Sequence, residues 1–157
     1  MKYGLSYTLI TRFTGFLART ILVYRKAELV YICNTLKDEK NKSILDYGCN
    51  TGYFLNMLNN KFPQNNFNLT GADINPYAIN YAKKKYKDFS FIDLEENPNI
   101  DEKFDFIILS HVLEHIHERK DFIKKIKKLM KKSGKLIIAI PQERVRGDAT
   151  IVQYIYN

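Results

Sequence analysis

The segment 43–54, SILDYGCNTGYF, constrains this 157-residue chain more than any other. A short apolar run, 43–47, ends on Asp46-Tyr47 and is broken at once by Gly48, with Gly52 four residues on. Glycine reaches backbone angles closed to other residues and lets a neighbour approach closely. The next run, 53–62, brings Phe54, Leu55, Leu58 and Phe62 near one helical face, and Pro63 stops it. The chain therefore opens a strand, turns sharply and enters a helix.

The same alternation continues. Residues 67–74 (FNLTGADI) read as a second strand. Asn75 caps a helix with Pro76 at its first position, running to about Tyr86. Residues 89–93 (FSFID) form a third strand, and 104–110 (FDFIILS) a fourth, apolar enough to be buried on both faces. The connection 94–103 is too short for a helical crossover and is expected as a loop or single turn. An amphipathic helix over 121–132, closed by Ser133-Gly134, leads to a fifth strand, 135–140, ended by Pro141. Strand–helix–strand alternation implies parallel pairing with right-handed crossovers. The expected fold is α/β: a Rossmann-like, mostly parallel sheet with helices on both faces. Residues 25–36 (RKAELVYICNTL) are the clearest helix of a preface spanning 1–42.

Charge and cysteine content narrow the setting. The net charge is +8, concentrated in the first 26 residues and in 119–135, where nine Lys or Arg face one Asp. Such a balance fits nucleic acid, anionic lipid or acidic substrates. Cys33 and Cys49 form no CxxC pair, which excludes a cysteine-based zinc site or a disulfide framework. The expected compartment is reducing and cytoplasmic. The N-terminus lacks a signal-peptide pattern, and Arg12 and Arg19 interrupt its apolar stretch, making it a poor membrane span.

Segment 43–54 resembles the first motif of class I S-adenosylmethionine-dependent methyltransferases, hhDhGxGxG, with h apolar. Asp46, Gly48 and Gly52 match, and Asn50 stands where the family usually has a middle glycine. Asn tolerates the left-handed conformation better than most residues. Four further segments match in order. Asp73 ends the second strand, where an acid grips both ribose hydroxyls. Asp93 ends the third, where the family faces the adenine amino group. Residues 104–116 (FDFIILSHVLEHI) and 128–141 (KLMKKSGKLIIAIP) resemble the fourth- and fifth-strand segments of small-molecule methyltransferases. The resemblance covers 43–141.

What the resemblance implies is a cofactor site for S-adenosylmethionine, with S-adenosylhomocysteine as product. Its residues are Asp46, Gly48, Cys49, Asn50, Gly52, Asp73, Ile74, Asp93, Leu94 and Ser110. Asp46 would meet the cofactor's ammonium, while Leu94 and Ile74 would enclose the adenine. A nicotinamide dehydrogenase is the nearest competitor by fold, but its G-x-G-x-x-G spacing is not that of Gly48 and Gly52. An acid before the first glycine also suits an amine better than a pyrophosphate.

Methyl transfer from a sulfonium needs positioning and water exclusion, and a hydroxyl acceptor also needs a base. All three histidines, His111, His115 and His117, lie within seven residues after the fourth strand, beside Glu114. His111, His115 and Glu114 are the catalytic candidates, and a helix there would put them on a shared side. A metal held by them is disfavoured. The [Asp/Asn]-Pro-Pro-[Tyr/Phe] motif of adenine and glutamine methylases is absent from the fourth-strand end, which disfavours nucleic acid. A small-molecule, sugar or lipid-linked glycan hydroxyl is the favoured acceptor. The lysine-rich helix is expected as a solvated face. The basic N-terminal segment, 1–42, is favoured as a lid over the cofactor, with peripheral contact to an anionic membrane as the alternative.

The family sheet has seven strands, and this chain ends soon after the fifth, with 151–156 (IVQYIY) as one further strand or a helix start. The expectation is a domain, 43–157, truncated after strand five, with an exposed edge that a homodimer partner could cover. The alternative function is a cofactor-binding but inactive fragment or partner subunit.

Overall fold

The computed structural model describes residues 23–140 and the backbone of 154–156. Helix α1 (Val23–Thr35) precedes strand β1 (Ser43–Tyr47), helix α2 (Tyr53–Lys61), strand β2 (Asn68–Asp73) and helix α3 (Pro76–Lys85). Strands β3 (Ser90–Asp93) and β4 (Phe104–Ser110) follow with no helix between them, then helix α4 (Arg119–Lys128) and strand β5 (Met130–Ala139). A short strand β6 (Tyr154–Tyr156) ends the series. The sheet order is β3-β2-β1-β4-β5-β6. The first five strands pair in parallel, and β6 runs antiparallel to β5, with Ile137 opposite Ile155.

The order follows from burial. β1 and β4 sit in the middle, and Ile44, Leu45, Ile107, Ile108 and Leu109 are almost wholly buried. Alternating side chains divide between two cores. On one face Leu29, Ile32, Cys33 and Leu36 of the α1 region pack with Phe54, Leu55 and Leu58 of α2, Ile79 of α3, and Ile44 and Ile108 of the sheet. On the other, Ile126 of α4 and the adjoining Leu129 meet Leu45, Ile107, Leu109, Leu136 and Ile138. Helices thus cover both faces, as the alternation predicts. The part of the expected lid that the structure describes, α1, packs into the core, and residues 1–22 lie outside the described residues.

Two boundaries differ from the sequence-based expectation. The lysine-rich helix ends at Lys128, four residues early, and β5 starts at Met130. The N–H of Phe104 donates to the Leu129 carbonyl at 2.8 Å, so sheet pairing captures the chain before another helical turn can form. Gly134, expected as a helix stop, instead lies inside β5 at a register irregularity where Phe104 faces Met130 but Phe106 faces Lys135. A Cβ there would lie 3.0 Å from the carbonyl oxygens of Lys131 and Phe104, the close backbone approach that glycine permits in a bulge. At the far end of the chain, β6 pairs along Leu136–Ile138, so the outer edge of β5 is partly covered by the chain itself.

At the N-terminal end of the sheet one carboxylate ties three strands together. Asp105 Oδ2 accepts from the Ser43 N–H at 2.8 Å, the Ser43 hydroxyl at 2.8 Å and the Lys131 ammonium at 2.7 Å. Desolvation pushes its pKa up, but the Lys131 and Ser43 donors outweigh this and bring it down to about 2. The folded value lies below the unfolded one of about 3.9. The stability this group contributes is therefore present above about pH 4 and lost as the pH falls through about 2. Urea unfolding of wild type and Asp105→Asn is expected to give a stability gap that is full at pH 6 and narrows between pH 4 and 2. A gap independent of pH would contradict the assignment.

Candidate functional site

The C-terminal ends of the parallel strands converge on a cavity of about 280 Å³. It lies where ligands bind in open α/β sheets, outside the carboxyl ends and beside the point where strand order reverses. Here that point lies between β1 and β4. The walls are Tyr47, Gly48, Asn50, Asp73, Ile74, Asn75 and Leu94 on one side and His111, Val112, His115, Ile116 and Phe122 on the other.

The turn after β1 is built from left-handed residues. Gly48, Asn50 and Gly52 have φ of +90°, +49° and +71°. Asn50 thus supplies the conformation expected of a middle glycine while keeping a side chain. The Gly48 N–H donates to the Ala72 carbonyl at 2.7 Å, which locks the turn to β2. Gly52 is the N-cap of α2 and provides no side-chain cap, and the first turn of α2 holds no acid. The helix end therefore presents backbone N–H groups that favour an anion.

Asp73 closes β2 and organises what surrounds it. Its Oδ2 accepts from the Asn50 N–H at 2.7 Å and its Oδ1 from the Asn75 N–H at 2.9 Å. Burial is the largest influence on its pKa and raises it, with Asp93 adding to the rise, while N–H donors from Asn75, Asn50 and Ile74 work in the opposite direction. A carboxylate has about four acceptor sites, so these N–H groups leave it capacity for a further donor. Ile74 next to it is 49% exposed, unusual for a large apolar residue at a cavity rim, and Leu94 faces the same space. Asn75 caps α3 through Oδ1, accepting from the N–H groups of Tyr77 and Ala78.

Of the residues singled out from sequence, the cavity walls bring together Gly48, Asn50, Asp73, Ile74, Leu94, His111 and His115. Asp46, Cys49, Gly52, Asp93, Ser110 and Glu114 are not on its walls. Asp46 and Cys49 are buried, and burial, then Asp46 and Asp73, raise the Cys49 pKa. Asp93 is 5% exposed and its Oδ1 accepts the Glu95 N–H at 2.9 Å, which shapes the loop that carries Leu94.

The histidine region departs from a helix. His111 has φ +57°, and its N–H continues the sheet by donating to the Ala139 carbonyl at 2.9 Å. Only a single 3₁₀ turn, Leu113–His115, follows. His115 reaches the cavity wall and is exposed, and His117 is also exposed. The His111 ring lies between two carboxylates, with Nε2 2.8 Å from Glu28 Oε2 and Nδ1 3.4 Å from Glu114 Oε1. Ser110 donates its hydroxyl to the other Glu28 oxygen at 2.7 Å. Sequence reading passes over Glu28. The available signal is its place in α1, four residues before Ile32 and eight before Leu36, on the buried stripe where a carboxylate needs a partner. Among the described residues, no group of three or more His, Cys, Asp or Glu could hold a metal ion, and no helix is long and apolar enough to cross a membrane.

The walls could hold a nucleoside: a doubly anchored carboxylate stands ready for a diol, exposed Ile74 and buried Leu94 line space for a flat ring, and a left-handed turn permits close backbone approach. A family model described as a methyltransferase domain matches residues 23–154. The carboxy-S-adenosyl-L-methionine synthase of Campylobacter hominis is 36% identical over 148 residues, 88% of this chain and 61% of that protein. The malonyl-[acyl-carrier protein] O-methyltransferase of Acetivibrio thermocellus is 29% identical over 104 residues, 63% of this chain and 36% of that protein. The chain thus spans between about a third and three fifths of the length of these two relatives. A plantazolicin methyltransferase, crystallised with a desmethyl-plantazolicin analog and S-adenosylhomocysteine, superposes with a TM-score of 0.67 at 20% identity, over 88% of this chain and 54% of its own. A methyltransferase of Aquifex aeolicus gives 0.64 at 21% identity, over 78% and 69%. At such identities the superpositions speak for the fold, and the family match extends across most of the described residues: the chain belongs to the class I S-adenosylmethionine-dependent methyltransferase domain family.

Proposed function

We propose that this chain transfers a methyl group from S-adenosylmethionine to a hydroxyl of a small molecule, sugar or lipid-linked glycan. The observation that carries the reading is Asp73, fixed by the Asn50 and Asn75 N–H groups at the rim of the cavity. The cofactor, when bound, supplies an already activated methyl for in-line displacement. Asp73 would accept the two ribose hydroxyls. Ile74 and Leu94 would enclose the adenine, and the turn from Gly48 to Gly52 would receive the amino-acid tail, with Asp46 and Asp93 supporting from behind. Positioning and exclusion of water then do most of the work.

A hydroxyl acceptor must lose a proton. His115 is exposed on the cavity wall, outside the pair of carboxylates that occupies both ring nitrogens of His111, and is the residue placed to act as the base. His111 and Glu114 support the wall on which it stands. The absence of an [Asp/Asn]-Pro-Pro-[Tyr/Phe] segment at the end of β4 favours a hydroxyl over an amide or base nitrogen.

The test is methyl transfer from labelled S-adenosylmethionine to a panel of monosaccharides, polyprenyl-linked sugars and hydroxylated metabolites. His115→Ala is expected to lower turnover by about 10²–10⁴-fold, the usual range for a general base. Its affinity for S-adenosylhomocysteine should stay within about threefold of wild type, on the order of 0.7 kcal/mol. Undiminished turnover in His115→Ala removes that residue from the mechanism. Cofactor binding without turnover on any acceptor removes the catalytic reading and leaves a binding subunit.

A further inference from the structure

Among the positive-φ residues described other than glycine, three are asparagines and the fourth is His111. A histidine in that region costs on the order of 1 kcal/mol and persists only where its surroundings hold it. What holds it is distant in sequence. Glu28, 5% exposed on α1, reaches the end of β4 and spans two consecutive residues, taking the Ser110 hydroxyl on Oε1 and the His111 ring on Oε2. Glu114 flanks the opposite ring nitrogen. The next residue, Val112, lies against the first glycine of the turn, since a Cβ on Gly48 would sit 2.5 Å from Val112 Cγ2. Val112 and His115 then form part of the cavity wall.

We propose that Glu28 is a positioning residue for the cofactor site, acting through His111. Its carboxylate holds the ring and the left-handed backbone at the end of β4. This seats Val112 on the turn and His115 at the wall. The inference rests on reading the cavity as the S-adenosylmethionine site, but the clasp itself can be tested without ligand. An ionised Glu28 only accepts, so Nε2 of His111 must carry the proton in the wild type. Glu28→Gln keeps the shape and both hydrogen bonds in either amide orientation: oxygen toward the Ser110 hydroxyl and nitrogen toward an unprotonated Nε2, or nitrogen toward the Ser110 hydroxyl oxygen and oxygen accepting from the Nε2 proton. The first orientation places the His111 proton on Nδ1, facing Glu114, and the second leaves it on Nε2. Glu28→Ala removes the clasp.

The experiment combines nitrogen-15 imidazole NMR of the apo protein with calorimetric titration of S-adenosylhomocysteine, for wild type, Glu28→Gln and Glu28→Ala. The His111 resonance is expected to report an Nε2-bound proton in wild type and to shift in Glu28→Ala, where that nitrogen loses its acceptor. Affinity should hold within about threefold in Glu28→Gln and fall about tenfold or more in Glu28→Ala. A wild-type His111 with no proton on Nε2, or a His111 spectrum unchanged in Glu28→Ala, overturns the clasp. Wild-type affinity in folded Glu28→Ala overturns the positioning role, as does a tenfold loss in Glu28→Gln, which would make charge the relevant property. Should Glu28→Ala not fold, the wild-type spectrum and the Glu28→Gln affinity decide. Wild type that does not bind S-adenosylhomocysteine overturns the cofactor reading, and the positioning role with it, while the spectrum still decides the clasp.

Discussion

Asp73→Ala is expected to weaken binding of S-adenosylhomocysteine by about 2–4 kcal/mol, roughly 30- to 1,000-fold. The magnitude follows from what one side chain holds. Two charge-assisted hydrogen bonds to a diol would be lost. In addition, the Asn50 and Asn75 N–H groups lose their acceptor, so the turn and the start of α3 lose their common anchor. Asp73→Asn keeps one acceptor oxygen and should lose less. The pH dependence has a definite sign. Burial raises the Asp73 pKa, so on acidification the carboxylate takes up a proton earlier than an ordinary aspartate would. A protonated carboxyl has lost acceptor capacity, and affinity should fall as the pH drops through that raised value. Asp73→Asn should lack this dependence. Titration calorimetry of the three proteins across pH checks both statements, and equal affinity in wild type and Asp73→Ala would refute the assignment.

Gly48→Ala should destabilise the fold by about 2–5 kcal/mol. The φ of +90° is unfavourable for any residue with a Cβ, by about 1–2 kcal/mol. The added methyl would also sit 2.5 Å from Val112 Cγ2. Valine is stiff at χ1 and cannot swing aside, so overpacking contributes about 1–3 kcal/mol more. The two parts are separable. Gly48→Ala in a Val112→Ala background should recover the steric part and keep the backbone part, giving a coupling of about 1 kcal/mol or more in a double-mutant cycle by urea unfolding. Strict additivity would mean that Val112 does not press on the turn.

Gly48 also illustrates what was legible in the sequence. The glycine spacing in 43–54 foretold a tight turn, and the apolar run 104–110 foretold a central strand, because both follow from local rules. Asn75-Pro76 foretold a helix start for the same reason. The failures are tertiary. Leu129-Met130 continues a helical period, yet Phe104 captures the Leu129 carbonyl and starts β5 there. A helix after β4 would put His111, Glu114 and His115 on a shared side, yet the His111 N–H continues the pairing with β5 and its backbone turns left-handed. Glu114 faces its ring all the same. Glu28 was hidden because its partners lie more than eighty residues away in the chain. Asp93 accepts a backbone N–H of its own loop, and its neighbour Leu94 stands on the cavity wall, a division of labour that only the folded loop displays.

Every role proposed for the cavity at the ends of β1, β2 and β4 requires that it bind a sulfur nucleoside. Calorimetric titration of the purified chain with S-adenosylmethionine, S-adenosylhomocysteine and NAD tests this directly. Saturable one-to-one binding of the first two, with no heat from NAD, is the predicted result. Binding of NAD alone, or of none of the three by folded protein, would contradict it.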